Sequence, residues 1–258
     1  TIDLNSISRT HAVKAPRIVL YGVQGIGKTT LAASAPNPVF IPCEDGLASV
    51  PNVAAFPAPT SFVDVLQAVE ALRGEHDFGT LVIDSVDALE LLLWQHLCAT
   101  HITDKGGRVT SIEDYGYGKG YIYANDLWVQ MLHQLDRLRN ERGMCTLLIA
   151  HSAVVKVEPP DGTAYDRYDV RVHKRAAETL VSWADAILFA NYHVLRRTDE
   201  VRNRPFVSGD GTRRIYTAER PAWRAKNRYA MPPELPFTWS AIVEAITKQT
   251  QPEATHVI

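Results

Sequence analysis

The sequence predicts an α/β protein: a mostly parallel, twisted sheet flanked by helices, with a β-hairpin extension. Three observations predict it. Short apolar runs (17–21, 38–41, 79–84, 145–150 and 185–192) alternate with segments of helical periodicity, the pattern of parallel strands joined by crossover helices. Residues 22–29 read Gly-Val-Gln-Gly-Ile-Gly-Lys-Thr between the first apolar run and a helix-forming run, which makes a strand–loop–helix unit. Glu44, Asp84 and His151 each stand at or just past the end of an apolar run, the edge at which open parallel sheets hold ligands.

Arg17 to Tyr21 is the first strand. Gly22, Val23, Gln24, Gly25, Ile26, Gly27, Lys28, Thr29 and Thr30 form a complete phosphate-binding loop and its exit into a helix. Its glycines let successive backbone N–H groups turn toward one point, where the helix presents its positive end. Lys28 then reaches the β- and γ-phosphates, and the Thr29 hydroxyl holds Mg²⁺. With Gly at about 7% of average usage, a chance match with these flanks is remote, so the chain is expected to bind ATP or GTP.

Pro38 to Ile41 is a second buried strand. Ser61 caps the next helix with Asp64 at the capping-box position, and Phe62, Val65, Leu66, Val69 and Leu72 share one face. Gly79 to Asp84 is a strand with an acidic end, followed by a helix over 87–99. Residues 101–120, with Gly106-Gly107 and Tyr115-Gly-Tyr-Gly-Lys-Gly-Tyr121, read as a long Gly-rich loop of functional or mobile type. Leu127, Met131, Leu135 and Leu138 mark a helix ending near Arg142-Gly143, and Cys145 to Ala150 is another buried strand. A polar loop from 152 to 172, a short helix over 175–183 and a strand over 185–192 follow. Residues 192–220 alternate and turn at Gly209-Asp210-Gly211, as a β-hairpin does. Trp239 to Ile246 is a closing helix, so one domain is expected over 16–248, with an arm at 1–15 and a frayed tail at 249–258.

A chain of 258 residues buries roughly three quarters of its unfolded surface and needs no metal or disulfide staple. Its apolar runs are far shorter than a membrane span, and no charged-then-apolar leader opens it. Cys43, Cys98 and Cys145 are widely spaced without a C-x-x-C, as in the reduced core of a cytosolic protein. The net charge of −2 hides an asymmetry: residues 196–228 hold ten Lys/Arg against four acids. Such a stretch is either a footprint for nucleic acid or a solvated hairpin.

Asp84, after Leu81-Val82-Ile83, reads as a Walker B carboxylate holding Mg²⁺ through water, with Ser85 beside it. Glu44 is placed to orient and deprotonate an attacking water, with Asp45 as competitor. His151 is placed either to touch the γ-phosphate or to serve as a neutral, hydrogen-bonded strand end.

Phe40-Ile41-x-x-Glu44, Val82-Ile83-Asp84-Ser85-Val86-x-Ala88-Leu89, Leu147-Leu148-Ile149 with His151, and Ala225-Lys226-Asn227-Arg228 together resemble the ATPase core of RecA-type recombinases over about residues 16–230. Residues 39–47 are similar to the phage-borne ATP-binding branch, which includes single-strand annealing proteins; His151 stands where the family usually has glutamine. The resemblance implies a RecA-like P-loop ATPase with ATP and Mg²⁺ between subunits of a ring or filament. Lys226 and Arg228 would be fingers reaching the neighbour's ATP. It implies single-stranded DNA and a single-strand-binding protein as partners, and the cytoplasm of a bacterial host as the place of action. Two loops would hold the DNA: one over 103–121 with Lys105, Arg108, Tyr117 and Lys119, the other over 153–174 with Lys156, Arg167, Arg171 and Lys174. Basic residues interleaved with tyrosines suit backbone neutralisation plus base stacking, and interspersed acids make the binding salt-sensitive. A ring helicase or helicase loader, and a nucleotide switch without DNA, are the competing expectations.

Overall fold

The computed structural model describes residue 3 and residues 14–102, 106–193, 195–199 and 204–248. The first half comprises β1 (Arg17–Gly22), α1 (Lys28–Ala32), β2 (Pro38–Pro42), β3 (Ala54–Ala55), α2 (Phe62–Ala71), β4 (Thr80–Asp84), α3 (Val86–Thr100) and α4 (Lys119–Arg142). Then come β5 (Cys145–Val157), β6 (Tyr165–Val170), α5 (Lys174–Trp183), β7 (Ala186–Tyr192), β8 (Leu195–Asp199) and β9 (Arg204–Ser208). The chain closes with β10 (Arg213–Tyr216), β11 (Lys226–Asn227), β12 (Glu234–Pro236) and α6 (Trp239–Lys248).

The main sheet runs β12-β10-β7-β1-β5-β4-β2-β3, and β7 through β3 are parallel. β10 and β12 are an antiparallel edge. Both faces are covered, which is why Ile18 to Tyr21 and Leu81 to Ile83 are completely buried and read as continuous apolar runs. Val19 and Tyr21 face the layer of α2, α3, α4 and α5, where Leu93, Trp128, Met131 and Leu180 are buried. Ile18 and Leu20 face the opposite layer, with Leu31 of α1 and Trp239 and Ile242 of α6. Each such side chain contributes about 1.5–3 kcal/mol of burial, so the two faces fix the register of the strands.

The predicted cap is present: Ser61 Oγ accepts from the Asp64 N–H at 3.2 Å and Asp64 Oδ2 accepts from the Ser61 N–H at 2.9 Å. Among the described residues no helix is long and apolar enough to cross a membrane. The cysteines are free, with Cys98 and Cys145 buried.

Three expectations are corrected. The 101–120 stretch is not one long loop: Ser111 and Asp114 form a second capping box over a 3₁₀ turn, Ile112–Tyr115, and α4 already begins at Lys119. Its glycines serve packing and turning, since a Cβ on Gly120 would lie 2.3 Å from the Ile112 carbonyl oxygen, and Gly116 and Gly118 have positive φ. The polar loop after His151 is instead a β-hairpin, with β5 and β6 paired from Ser152↔Val170 to Val157↔Tyr165. The basic segment does form a hairpin, β8 with β9, but Gly209–Gly211 is not its turn; these residues lead into β10, which pairs with β7. The arm, apart from residues 3, 14 and 15, and the tail at 249–258 lie outside the described residues.

Candidate nucleotide site

Gly22 ends β1 between His151 of β5 and Ala190 of β7. A Cβ there would sit 2.2 Å from the Ala190 carbonyl oxygen, so this close approach requires glycine. The loop then turns through Gly25 (φ 75°) and Gly27 (φ 99°), left-handed positions that a side chain would strain. Lys28 is buried, and its ammonium folds back to donate to the Gly22 and Val23 carbonyls, both at 3.2 Å. Burial lowers its pKa against the opposing pull of Asp84, Asp87 and Glu44. Two of its three N–H donors are thereby used, and one remains for a phosphate.

The Thr29 hydroxyl donates to Asp84 Oδ2 at 2.7 Å. Asp84 is 2% exposed; burial raises its pKa, with Glu44 adding to the rise and Thr29, Lys28 and His151 opposing it. A hydroxyl and a carboxylate are hard oxygen donors, which suits Mg²⁺ rather than a softer metal. The peptide N–H groups of Cys43 and Glu44 donate to the Asp84 carbonyl at 2.7 and 3.2 Å, so the segment after β2 is held against the end of β4.

Glu44 Oε2 accepts from the buried Ser85 hydroxyl at 2.9 Å, and Oε1 lies 3.8 Å from His151 Nε2. The Asp45 side chain is exposed instead. On its other side the His151 ring meets Asp87, with Nδ1 3.0 Å from Oδ2, and the His151 N–H donates to Asp87 Oδ1 at 3.1 Å. Arg171, one residue beyond β6, donates to Asp87 Oδ2 at 2.6 Å. Asp87 is held well below the usual carboxylate range: burial opposes this, but the hydrogen bonds from His151 and Arg171 prevail. A continuous polar chain therefore runs Ser85–Glu44–His151–Asp87–Arg171.

The predicted loop residues, Asp84, Glu44 and His151 thus converge on one sheet edge. Lys226 and Arg228 do not join them within the chain. β11 pairs with Ile187 and Ala186 at the start of β7, the opposite edge. There the Lys226 ammonium donates to the Val181 and Ser182 carbonyls at 2.6 and 3.1 Å, and Arg228 donates to Asp185 at 3.2 Å.

The candidate DNA residues divide. Arg108 and Tyr117 are exposed before α4 and Lys119 is exposed at its first residue; Lys156 on the hairpin and Lys174 at the start of α5 are exposed too. Arg167 departs from expectation: it turns inward, 12% exposed, onto Asp169 at 3.2 Å and Glu219 at 3.3 Å. Arg171 is committed to Asp87, as above. Tyr121 stacks on His173 at 3.8 Å and is no loop residue. Lys105 lies outside the described residues. Sequence reasoning missed Asp87, the tie of the candidate DNA residue Arg171 to it, and Arg213, whose Nη1 donates to the Ile26 carbonyl of the phosphate loop at 3.2 Å. Only the position of Asp87, three residues beyond Asp84 in the next helix, offered a signal.

The chain shares 24% identity over 177 residues, 67% of its length, with the SPbeta prophage-derived uncharacterized protein YorG of Bacillus subtilis (strain 168). That match covers 49% of YorG, so the chain spans about half the length of the curated relative it matches. Superposed on the crystal structure of the RadB recombinase it gives a TM-score of 0.44 at 15% identity, over 79% of this chain and 81% of that one. Residues 14–229, which contain the phosphate loop, Glu44, Asp84, Asp87 and His151, match the family model described as AAA domain. The chain therefore belongs to the AAA domain family and is a P-loop ATPase.

Proposed function

We propose that the protein is an ATP-dependent recombination protein of RecA-like type that binds single-stranded DNA and promotes strand pairing or annealing, with ATP hydrolysed between neighbouring subunits. One observation carries this reading: the polar chain from Glu44 through His151 and Asp87 ends on Arg171, at the foot of the β5–β6 hairpin. The element expected to hold DNA is thus tied to the group expected to meet the γ-phosphate.

In this mechanism Lys28 and the loop N–H groups bind the phosphates, while Thr29 and Asp84 hold Mg²⁺. The ion, when bound, neutralises charge on the phosphate oxygens. Glu44 orients a water and takes its proton as the oxygen forms its bond to the γ-phosphorus, and the bond to the ADP oxygen breaks. Ser85 fixes the Glu44 carboxylate through Oε2. His151 trades contacts between Glu44 and the γ-phosphate, and Asp87 passes that change to Arg171 and the hairpin, a phosphate-controlled switch. Lys226 and Arg228 leave the Val181, Ser182 and Asp185 contacts to reach the ATP of a neighbouring copy. The similarity to a prophage-derived protein supports action in the cytoplasm of a phage-carrying bacterium, beside a single-strand-binding protein.

Annealing of complementary oligonucleotides, followed together with particle mass in the presence of a non-hydrolysable ATP analogue, tests the reading. The wild type is expected to assemble and to speed annealing. The Lys226→Ala protein is expected to bind ATP as a monomer but to assemble poorly. A chain that stays monomeric with analogue and oligonucleotide present sinks the shared site, and strand displacement coupled to hydrolysis moves the reading to a helicase.

A further inference from the structure

His151 stands between two carboxylates. Its Nδ1 lies 3.0 Å from Asp87 Oδ2, and an ionised carboxylate offers only acceptors, so Nδ1 carries a proton. In the neutral imidazole the lone pair then belongs to Nε2, and Nε2 faces Glu44 Oε1 at 3.8 Å. That spacing is beyond hydrogen-bond reach and sets two electron-pair donors toward each other. Zinc bonds to imidazole nitrogen and to carboxylate oxygen are each about 2.0–2.2 Å, so one ion spans 3.8 Å with a bent N–metal–O angle.

The outer contacts of such a centre are also in place. Asp87 on Nδ1 is the carboxylate that fixes the tautomer of a metal-binding histidine and raises the basicity of its other nitrogen. The Ser85 hydroxyl donates to Glu44 Oε2 at 2.9 Å, which leaves Oε1 for an ion. One ligand atom from each of Glu44, Asp87 and His151 lies within 4.8 Å of the others. The Asp87 and His151 side chains are 7% and 15% exposed and Glu44 is 33% exposed, so an ion enters from the Glu44 side. Among the charges that meet here, Asp84, Asp87 and Glu44 outnumber Lys28 and Arg171, which favours a cation. The donor set also discriminates between cations. Thr29 and Asp84 offer hard oxygens, whereas a nitrogen paired with a carboxylate oxygen suits Zn²⁺ and ill suits Mg²⁺, which prefers oxygen and keeps its waters.

We propose that Glu44 and His151 hold a second divalent cation of the zinc type, separate from the Mg²⁺ of Thr29 and Asp84, with Asp87 as the positioning residue for the ring. An ion on Glu44 Oε1 stops that oxygen taking a proton from water and keeps His151 from the γ-phosphate, so it inhibits turnover. Holding the ion needs no nucleotide; only the inhibition rests on the proposed role of Glu44 as base.

Calorimetric titration of the nucleotide-free protein with ZnCl₂, in excess Mg²⁺ to occupy the oxygen site, tests it. The wild type is expected to bind about one Zn²⁺ per chain. Affinity is expected to fall at least about a hundredfold in His151→Gln and at least about tenfold in Asp87→Asn. Cys43, half-buried beside Glu44, is the competing ligand, and Cys43→Ser is expected to bind as the wild type does. A wild type that ignores Zn²⁺, unchanged affinity in His151→Gln, or a loss confined to Cys43→Ser each overturns the site. In a coupled ADP-release assay, bound Zn²⁺ is expected to slow the wild type severalfold; binding without slowing upholds the site and overturns the inhibition, together with Glu44 as base. Should His151→Gln not fold, modification of the wild type by diethyl pyrocarbonate, mapped on peptides, decides: protection of His151 by Zn²⁺ supports the site, and equal modification with and without Zn²⁺ overturns it.

Discussion

Lys28 shows how a single side chain joins fold and chemistry. It is buried against the Gly22 and Val23 carbonyls, with burial pulling its pKa down and three carboxylates holding it up. Lys28→Ala removes the ammonium proposed to meet the phosphates, and ATP turnover is expected to fall at least about a hundredfold in a coupled ADP-release assay. Glu44→Gln keeps an acceptor for the Ser85 hydroxyl but loses the proposed base, so it is expected to bind ATP normally and hydrolyse it at least about a hundredfold more slowly. Binding lost along with turnover would show that Glu44 holds the ligand rather than activating water. These residues were legible because the loop motif is contiguous and the others end apolar runs. Asp87, Arg171 and Arg213 were not: their contacts to His151, Asp87 and Ile26 span 64, 84 and 187 residues, distances over which a sequence carries no periodic signal.

At the scale of elements, the parallel strands and the helices that cover them were legible from run length and apolar periodicity, and the two segments proposed to hold DNA were the ones misread. Residues 152–157 alternate on β5, but with Ser152, Lys156 and the Pro159-Pro160 turn they look like a polar loop, and only pairing with β6 reveals the strand. Likewise the Gly-rich run before α4 resembles a mobile loop until the Ser111–Asp114 box and the tight Gly120 contact are seen. The close approach of β1 and β7 gives a sharp test. Gly22→Ala forces the strands apart at the Ala190 carbonyl, and urea denaturation is expected to show a loss of about 1–3 kcal/mol. Arg171→Ala leaves β5–β6 paired but cuts the tie to Asp87, so basal hydrolysis should persist while any acceleration by DNA is lost.

At the edge opposite the site Asp185 ties together the start of β1, α4 and the residue just past β11, taking Arg17, Arg139 and Arg228 at 2.9, 3.1 and 3.2 Å. Burial works against this carboxylate, yet the hydrogen bond and charge of Arg17, helped by Arg139, hold its pKa below the usual range. Glu90 is the contrary case: burial pushes its carboxyl up to about 7, although it accepts from the His173 N–H. Its proton is retained in the folded state and lost in the unfolded one between about pH 4.5 and 7, so stability falls as pH rises through that window. Glu90→Gln is expected to flatten the fall, by up to about 3 kcal/mol, in denaturation series between pH 5 and 8. The unified claim is that a nucleotide at one sheet edge governs how the β5–β6 hairpin holds a polynucleotide. Steady-state ATP hydrolysis by the wild type, with and without an unstructured single-stranded oligonucleotide at low salt, tests it most directly. A rate that rises severalfold with the oligonucleotide, and returns to basal when salt is raised, is predicted; a rate indifferent to the oligonucleotide at every salt concentration contradicts it.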